Sequence, residues 1–199
     1  MEIARHVWQI SASALVVFIC SGCVAENSGT TNMNPSTNGI TTIKPSPLSI
    51  YSADPNSEVG SRNNPIGLGD VAVINDWQVQ IISVNKDALK FVMNSDEYAS
   101  PPASNERFVL FKIKATYIGE DSGEPSSDLR FKVVGGGGNT FSKSCSYSLN
   151  TFDQNEEAFT GATVTGDICF IVDANQIDGA TISIQGDYSS QGRQFVLID

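Results

Sequence analysis

From Phe108 to Tyr117 the side chains alternate, with Val109, Phe111, Ile113, Ala115 and Tyr117 on one side and Lys112 and Lys114 on the other. A period of two is the geometry of a β-strand, and one apolar face makes it a strand with a buried side and a solvated side. The pattern recurs on both flanks. Val71–Ile74 and Trp77–Val84 flank the turn Asn75-Asp76 and read as a hairpin, with Trp77, Val79 and Ile81 on one face. Leu129–Val134 turns inward Leu129, Phe131 and Val133, and a run of four glycines and an asparagine leads into a second hairpin partner at Thr140–Ser148. Val164–Val172 alternates Val164, Gly166, Ile168, Phe170 and Val172 against Thr165, Asp167, Cys169 and Ile171, and Ala180–Ile184 and Phe195–Ile198 complete the set. About seven to nine strands with no ten-residue helical period predict an all-β chain, an antiparallel β-sandwich.

The N-terminus has a different character. After Arg5, Val7–Ile19 is apolar and uncharged, which is the composition of an export signal. Cys20-Ser21-Gly22-Cys23 follows and resembles a prokaryotic lipobox, with small residues before Cys23 and Cys20 standing where leucine is usual. That resemblance implies cleavage before Cys23, a lipid on its thiol, and a protein anchored outside the cytoplasmic membrane. The alternative is an uncleaved helix, because Val7–Ala25 is nineteen residues without a charge and about twenty span a bilayer.

Between Val24 and Asn64 the chain is rich in Asn, Ser, Thr, Gly and Pro, with Tyr51 as its one aromatic residue. Such a segment buries too little apolar surface to offset its ordering entropy. The expected organisation is therefore a signal over residues 1–22, a disordered polar tether over 23–64 and the sandwich over 65–199. The net charge is −10, and within 65–199 nine basic residues face eighteen acidic ones. Nucleic acids and anionic lipids select for clusters of Lys and Arg, so nucleic-acid binding is not expected.

Once Cys20 and Cys23 are assigned to the signal and the anchor, Cys145 and Cys169 remain. An exported chain pairs them as a disulfide. The outward parity of Cys169 places that bridge outside the core, tying its strand to a neighbour or to the loop after Cys145.

Three stretches carry a family resemblance. They are Asn64-Pro65-Ile66-Gly67-Leu68-Gly69-Asp70, then Asn75-Asp76-Trp77-Gln78-Val79, and later Gly161 to Phe170 with its second glycine at 166. In order and spacing they resemble the telokin-like, immunoglobulin-type domain of unknown function found in secreted prokaryotic lipoproteins, related to a mycobacterial secreted immunoprotective antigen. The resemblance covers about two-thirds of the chain. It implies a two-sheet immunoglobulin-like sandwich and an extracytoplasmic location, and it carries over no catalytic residue.

His6 is the one histidine and lies in the signal, so histidine-based triads and metal sites have no donor in the mature chain. The glycine run lacks the Lys and Ser/Thr of a phosphate loop. No catalytic, cofactor-binding or metal-binding residue is expected, and no enzyme. Carboxylates in two connections, Glu120, Asp121 and Glu124 in one and Glu156 and Glu157 in the other, leave two alternatives: an acid/base hydrolase of envelope glycans, and weak calcium binding. A purely structural spacer is a further reading. The leading expectation is a non-enzymatic binding domain for an envelope protein or extracellular ligand. Its candidate binding loops are Asp87–Asn105, with Phe91 and Tyr98, and Asn150–Thr160, with Phe152 and Phe159.

Overall fold

The computed structural model describes residues 48–52, 57–186 and 192–199, all within the unit Pro45–Asp199. The expected signal, Cys20, Cys23 and the tether up to residue 47 lie outside the described residues. Among those described, the strands are β1 (Ile50–Ser52), β2 (Val71–Ile74), β3 (Trp77–Asn85), β4 (Glu106–Tyr117), β5 (Ser122–Gly123), β6 (Leu129–Val134), β7 (Thr140–Phe141), β8 (Ala158–Phe159), β9 (Thr163–Asp173), β10 (Thr181–Gly186) and β11 (Arg193–Leu197). Two short helices, α1 (Leu89–Ser95) and α2 (Pro125–Asp128), join them. Seven strands match the alternating runs, the partner expected over Thr140–Ser148 pairs only as the two-residue β7 before the chain leaves the sheet, and β1, β5 and β8 are additions of two or three residues.

The chain forms a β-sandwich. One sheet has the order β1-β2-β3-β4-β9, the other β11-β10-β6-β7, and β5 pairs with β8 in a small third sheet. Between the described strands pairing is antiparallel except for β1 and β2, which are parallel. The core lies between the two large sheets. Trp77, Val79 and Ile81 of β3, the five inward residues of β4, Leu129 and Val133 of β6, and Ile182 and Ile184 of β10 meet there in one cluster. Trp77 packs edge-on against Tyr117 with ring centroids 5.1 Å apart, and Phe111 against Phe170 at 5.9 Å. Such pairs add to what area burial alone contributes.

Local chemistry explains two departures from simple alternation. The register of β3 on β4 shifts between Ile81 and Ser83, a bulge that turns Ile82 outward and returns Val84 to the core side. Gly166 stands inward in β9 because the backbone of Phe152 passes over it; a Cβ there would overlap Phe152 N and Cα. Phe152 thereby enters the core, edge-on to Phe131 at 6.0 Å.

The polar segment expected to run free to Asn64 joins the fold earlier. Ser49 accepts a bond from the Val71 amide at 2.9 Å, and the buried Gln194 donates from Nε2 to the Tyr51 carbonyl at 2.9 Å. Tyr51 packs on the core edge, the Gly60 carbonyl accepts from the Phe195 amide, and Ile66 exchanges backbone bonds with Phe195 and Leu197 of β11. Hydrogen bonding to a sheet edge, with one aromatic anchor, orders this stretch without any apolar period.

Candidate functional site

The outward face of β4 carries Phe108 and Leu110 before it turns to Lys112 and Lys114. Two large apolar side chains on the solvent side of a sheet require a cover, and the chain supplies one in two pieces. The first is α1, within the long connection 87–105. Seven residues are too few for a helix to hold alone, and none of its side chains caps the N-terminus. Packing sustains it: Ala88 and Val92 are fully buried against Phe108, Leu110 and Cys169.

The second piece is the irregular run after β7. Cys145 is joined to Cys169 by a disulfide, with Cα atoms 5.4 Å apart. The amide of Cys145 donates to the Cys169 carbonyl, that of Ile171 to Lys143, and that of Asp167 to Asn150. The run therefore lies along the free edge of β9. Tyr147 donates its hydroxyl to Asp167 Oδ2 at 3.1 Å, and burial, followed by the Asp167 charge and that hydrogen bond, raises its pKa. Ser148 bonds to Ser95, which ties the C-terminal end of α1 to the disulfide run.

Cys169 thus faces away from the main core, as its parity predicts, yet it is buried. The outer face that alternation reads as solvated holds a second, smaller core of Ala88, Val92, Phe108, Leu110 and Cys169, with Ala99, Cys145, Tyr147 and Ile171 around it.

A groove of about 560 Å³ opens between the two cover pieces. Pro101–Ala103 and Tyr98 line one wall, Lys143–Ser146 the other, and Phe108 and Ile171 lie at its base. Glu106 and Lys143 are its charged residues, one of each sign. A second hollow of about 270 Å³ lies across Pro101–Ala103 and reaches Leu89 and Arg107. Tyr98 is 85% exposed, the most open large hydrophobic side chain among those described.

The four candidate aromatics divide. Tyr98 lines the groove, and Phe91 stands 58% exposed on α1. Phe159 is 61% exposed but sits at the other end of the sandwich, where β8 pairs with β5. Phe152 is a correction: at 5% exposure it is a core residue, held inward by the absence of a side chain at Gly166, and it presents nothing to a ligand. Lys143 and Ile171, which alternation does not single out, line the groove because the disulfide brings their segments together. The carboxylates Glu120, Asp121, Glu124, Glu156 and Glu157 are exposed. Among the described residues no group of three or more His, Cys, Asp or Glu side chains is placed to hold a metal ion. Among them too, no helix is long and apolar enough to cross a membrane.

No family model matches the chain, and no curated protein matches it. Several solved structures are similar. The yjhA protein from Bacillus subtilis is 12% identical with a TM-score of 0.47, over 67% of this chain and 99% of that one. A protein of the same species, ycdA, provisionally described as a lipoprotein, is 18% identical with a TM-score of 0.46 over 64% of this chain, which spans 38% of its length. MPT63, a secreted protein from Mycobacterium tuberculosis, is 13% identical with a TM-score of 0.44, over 68% of this chain and 97% of that one.

Proposed function

We propose that the chain is an exported, lipid-anchored protein whose sandwich is a non-enzymatic binding module, and that the disulfide-lined groove is its binding face. The observation that carries this reading is the groove's construction: a disulfide pins one wall, a proline pair stiffens the other, and Tyr98 stands exposed at its side. A disulfide at that position suits an oxidising compartment, in keeping with the lipobox-like Cys20-Ser21-Gly22-Cys23. The occupant we favour is an extended polypeptide segment of another envelope protein. An apolar base, one aromatic and one charge of each sign complement a mixed peptide better than a phosphate or a polyanion.

Three measurements test it. The intact mass of the membrane-extracted protein is expected to show a chain beginning at Cys23 and carrying acyl groups; an unmodified chain beginning at Met1 would instead fit the uncleaved helix. A photo-crosslinking residue at position 98, introduced in cells, is expected to give one discrete polypeptide adduct that disappears in Cys145→Ser/Cys169→Ser. An unchanged adduct in that variant, or no adduct at all, removes the groove as a binding face and leaves the spacer reading. Glycan hydrolysis lost on Glu120→Gln or Glu156→Gln would replace binding with catalysis.

A further inference from the structure

The sheet β11-β10-β6-β7 has an outer face as well as an inner one. Val133, Ile182, Ile184 and Val196 point into the core, so residues of the opposite parity stand on the side away from the groove, and among them are Arg130, Lys132 and Arg193. The register sets Arg130 and Arg193 on either side of Gln185, about 10 Å apart, with Lys132 about 7 Å along β6. A fourth cation arrives from a loop. Phe195 of β11 donates to the Gly60 carbonyl and accepts from the Ile66 amide, so the chain between leaves and rejoins the sheet at one residue. Arg62, from that loop, reaches the turn between β6 and β7, where a Cβ built on Gly138 would stand 3.0 Å from its Nη2. No Asp or Glu occupies an outward position of these strands, and Glu58 and Asp178 lie in the flanking loops. In a chain of net charge −10, four cations remote in sequence are thus brought to one face by the fold.

Two of these cations are engaged within the fold and two are not. Arg130 donates from Nη1 to the Ser126 and Leu129 carbonyls, and Arg193 donates from Nε and Nη2 to Gln185 Oε1. Lys132 and Arg62 are exposed and have no acceptor among the described residues. An independent feature lies on the same face. Thr181 pairs with Val134 and Leu197, is 4% exposed and belongs to neither core cluster, and its Oγ1 is buried without a hydrogen-bond partner. Leu197 beside it and Phe195 two residues along β11 are half-buried. A buried hydroxyl left unpaired is costly, and this one sits where a partner arriving on the sheet would bring acceptors.

We propose that this face docks an acidic polypeptide segment of a partner protein. Its carboxylates meet Arg62, Lys132 and Arg193, and an apolar side chain covers Phe195 and Leu197. As the flanking side chains turn outward to meet it, the Thr181 hydroxyl donates to one of its oxygens. Charge complementarity selects an acidic partner. The mixture of guanidinium, aromatic and aliphatic surface selects a polypeptide over a phosphate polymer, which would leave the apolar strip uncovered. Repulsion from the rest of an acidic chain admits that partner on this side alone, so the field sets orientation as well as attraction.

The test uses the full-length protein and a fluorescent peptide of glutamates interspersed with leucines, followed by anisotropy at about 0.1 M salt. Arg62→Gln/Lys132→Gln/Arg193→Gln is expected to weaken binding roughly tenfold, from three exposed pairs. Lys90→Gln/Lys112→Gln/Lys114→Gln removes the same charge from the far side of the sandwich. It is expected to change binding less than about twofold, because two sheets and more than a Debye length of about 10 Å intervene. Thr181→Val keeps the shape and is expected to weaken binding about threefold, the worth of one modest hydrogen bond, while the unfolding midpoint stays level or rises. Equal losses in the two triple variants would reduce the effect to bulk charge and overturn the proposal. Absence of peptide binding, or a Thr181→Val variant that binds as the parent does, would overturn it too. Displacement of the peptide by anionic-lipid vesicles would give the face to a membrane instead, and dimerisation lost in the first triple variant would give it to a second copy of the chain.

Discussion

β4 serves two cores at once, and they are built differently. On its inner face Phe111 meets Phe170 between two sheets whose positions are fixed by long ladders. On its outer face, three residues away, Phe108 is buried just as fully, beneath a seven-residue helix and a run of coil held by a disulfide. The inner core is made by the periodic strands, and the outer one by insertions that fold back on them. Equal burial is thus reached by two kinds of cover, and the one made of insertions carries the groove.

The largest expected effect separates the two directly. Phe111→Ala leaves a cavity between sheets that have little room to close, and it is expected to cost about 3–5 kcal/mol. Phe108→Ala leaves one beneath a cover that can settle, and the expected cost is about 2 kcal/mol, because the penalty depends on how far a site collapses. Denaturant unfolding of both variants measures the gap. Equal losses would mean that the cover is as rigid as a second sheet.

The two cores also differ in how legible they are in the amino-acid sequence. The inner core follows from alternation: a period of two places the five inward residues of β4 and the three of β3 without knowledge of any partner. The outer core has no such signal. Ala88 and Val92 lie in a segment too short for a helical period, and Cys169 looks solvated until the Cys145 run is laid over it. Phe152 escapes sequence reasoning for a related cause, since its inward position depends on Gly166, which is remote along the chain. Strand β1 has no period of its own, because its order comes from hydrogen bonds to Gln194 and the edge of β2, to which Tyr51 is the only pointer. The pairing of Cys145 with Cys169 follows from counting, whereas the groove beside it depends on how two loops converge, which composition does not encode.

A smaller effect sharpens the comparison by acting on the outer core alone. Cys145→Ser/Cys169→Ser opens a loop with a sequence separation of 24. It is expected to cost about 3 kcal/mol on the chain-entropy account. Hydrogen exchange should rise first over 143–152 and α1, while amides of β2 and β3 keep their protection up to the new global limit. Uniform loss of protection across both regions would make the two cores a single cooperative unit.

The smallest effect is set by pH, because each region holds a tyrosine with a raised pKa. In Tyr117 burial contributes most, followed by Asp76, Asp128 and Asp121; in Tyr147 burial again leads, followed by Asp167. Above the ordinary phenol value of about 10, the unfolded chain releases its proton while the folded one retains it, so the unfolded state binds fewer protons. The stabilising contribution is thus complete below that value and is lost as pH rises towards the folded pKa. Stability followed from about pH 8 to 11 should fall in the parent protein. It should fall less steeply in Tyr117→Phe and in Tyr147→Phe, each of which removes one titrating group. Tyr147→Phe also removes the bond to Asp167, so it should lower stability at neutral pH by about 1 kcal/mol. Tyr117→Phe, which breaks no hydrogen bond among the described residues, should leave the neutral value near that of the parent. A neutral-pH loss in Tyr117→Phe as large as in Tyr147→Phe would show that the Tyr117 hydroxyl has a partner within the fold.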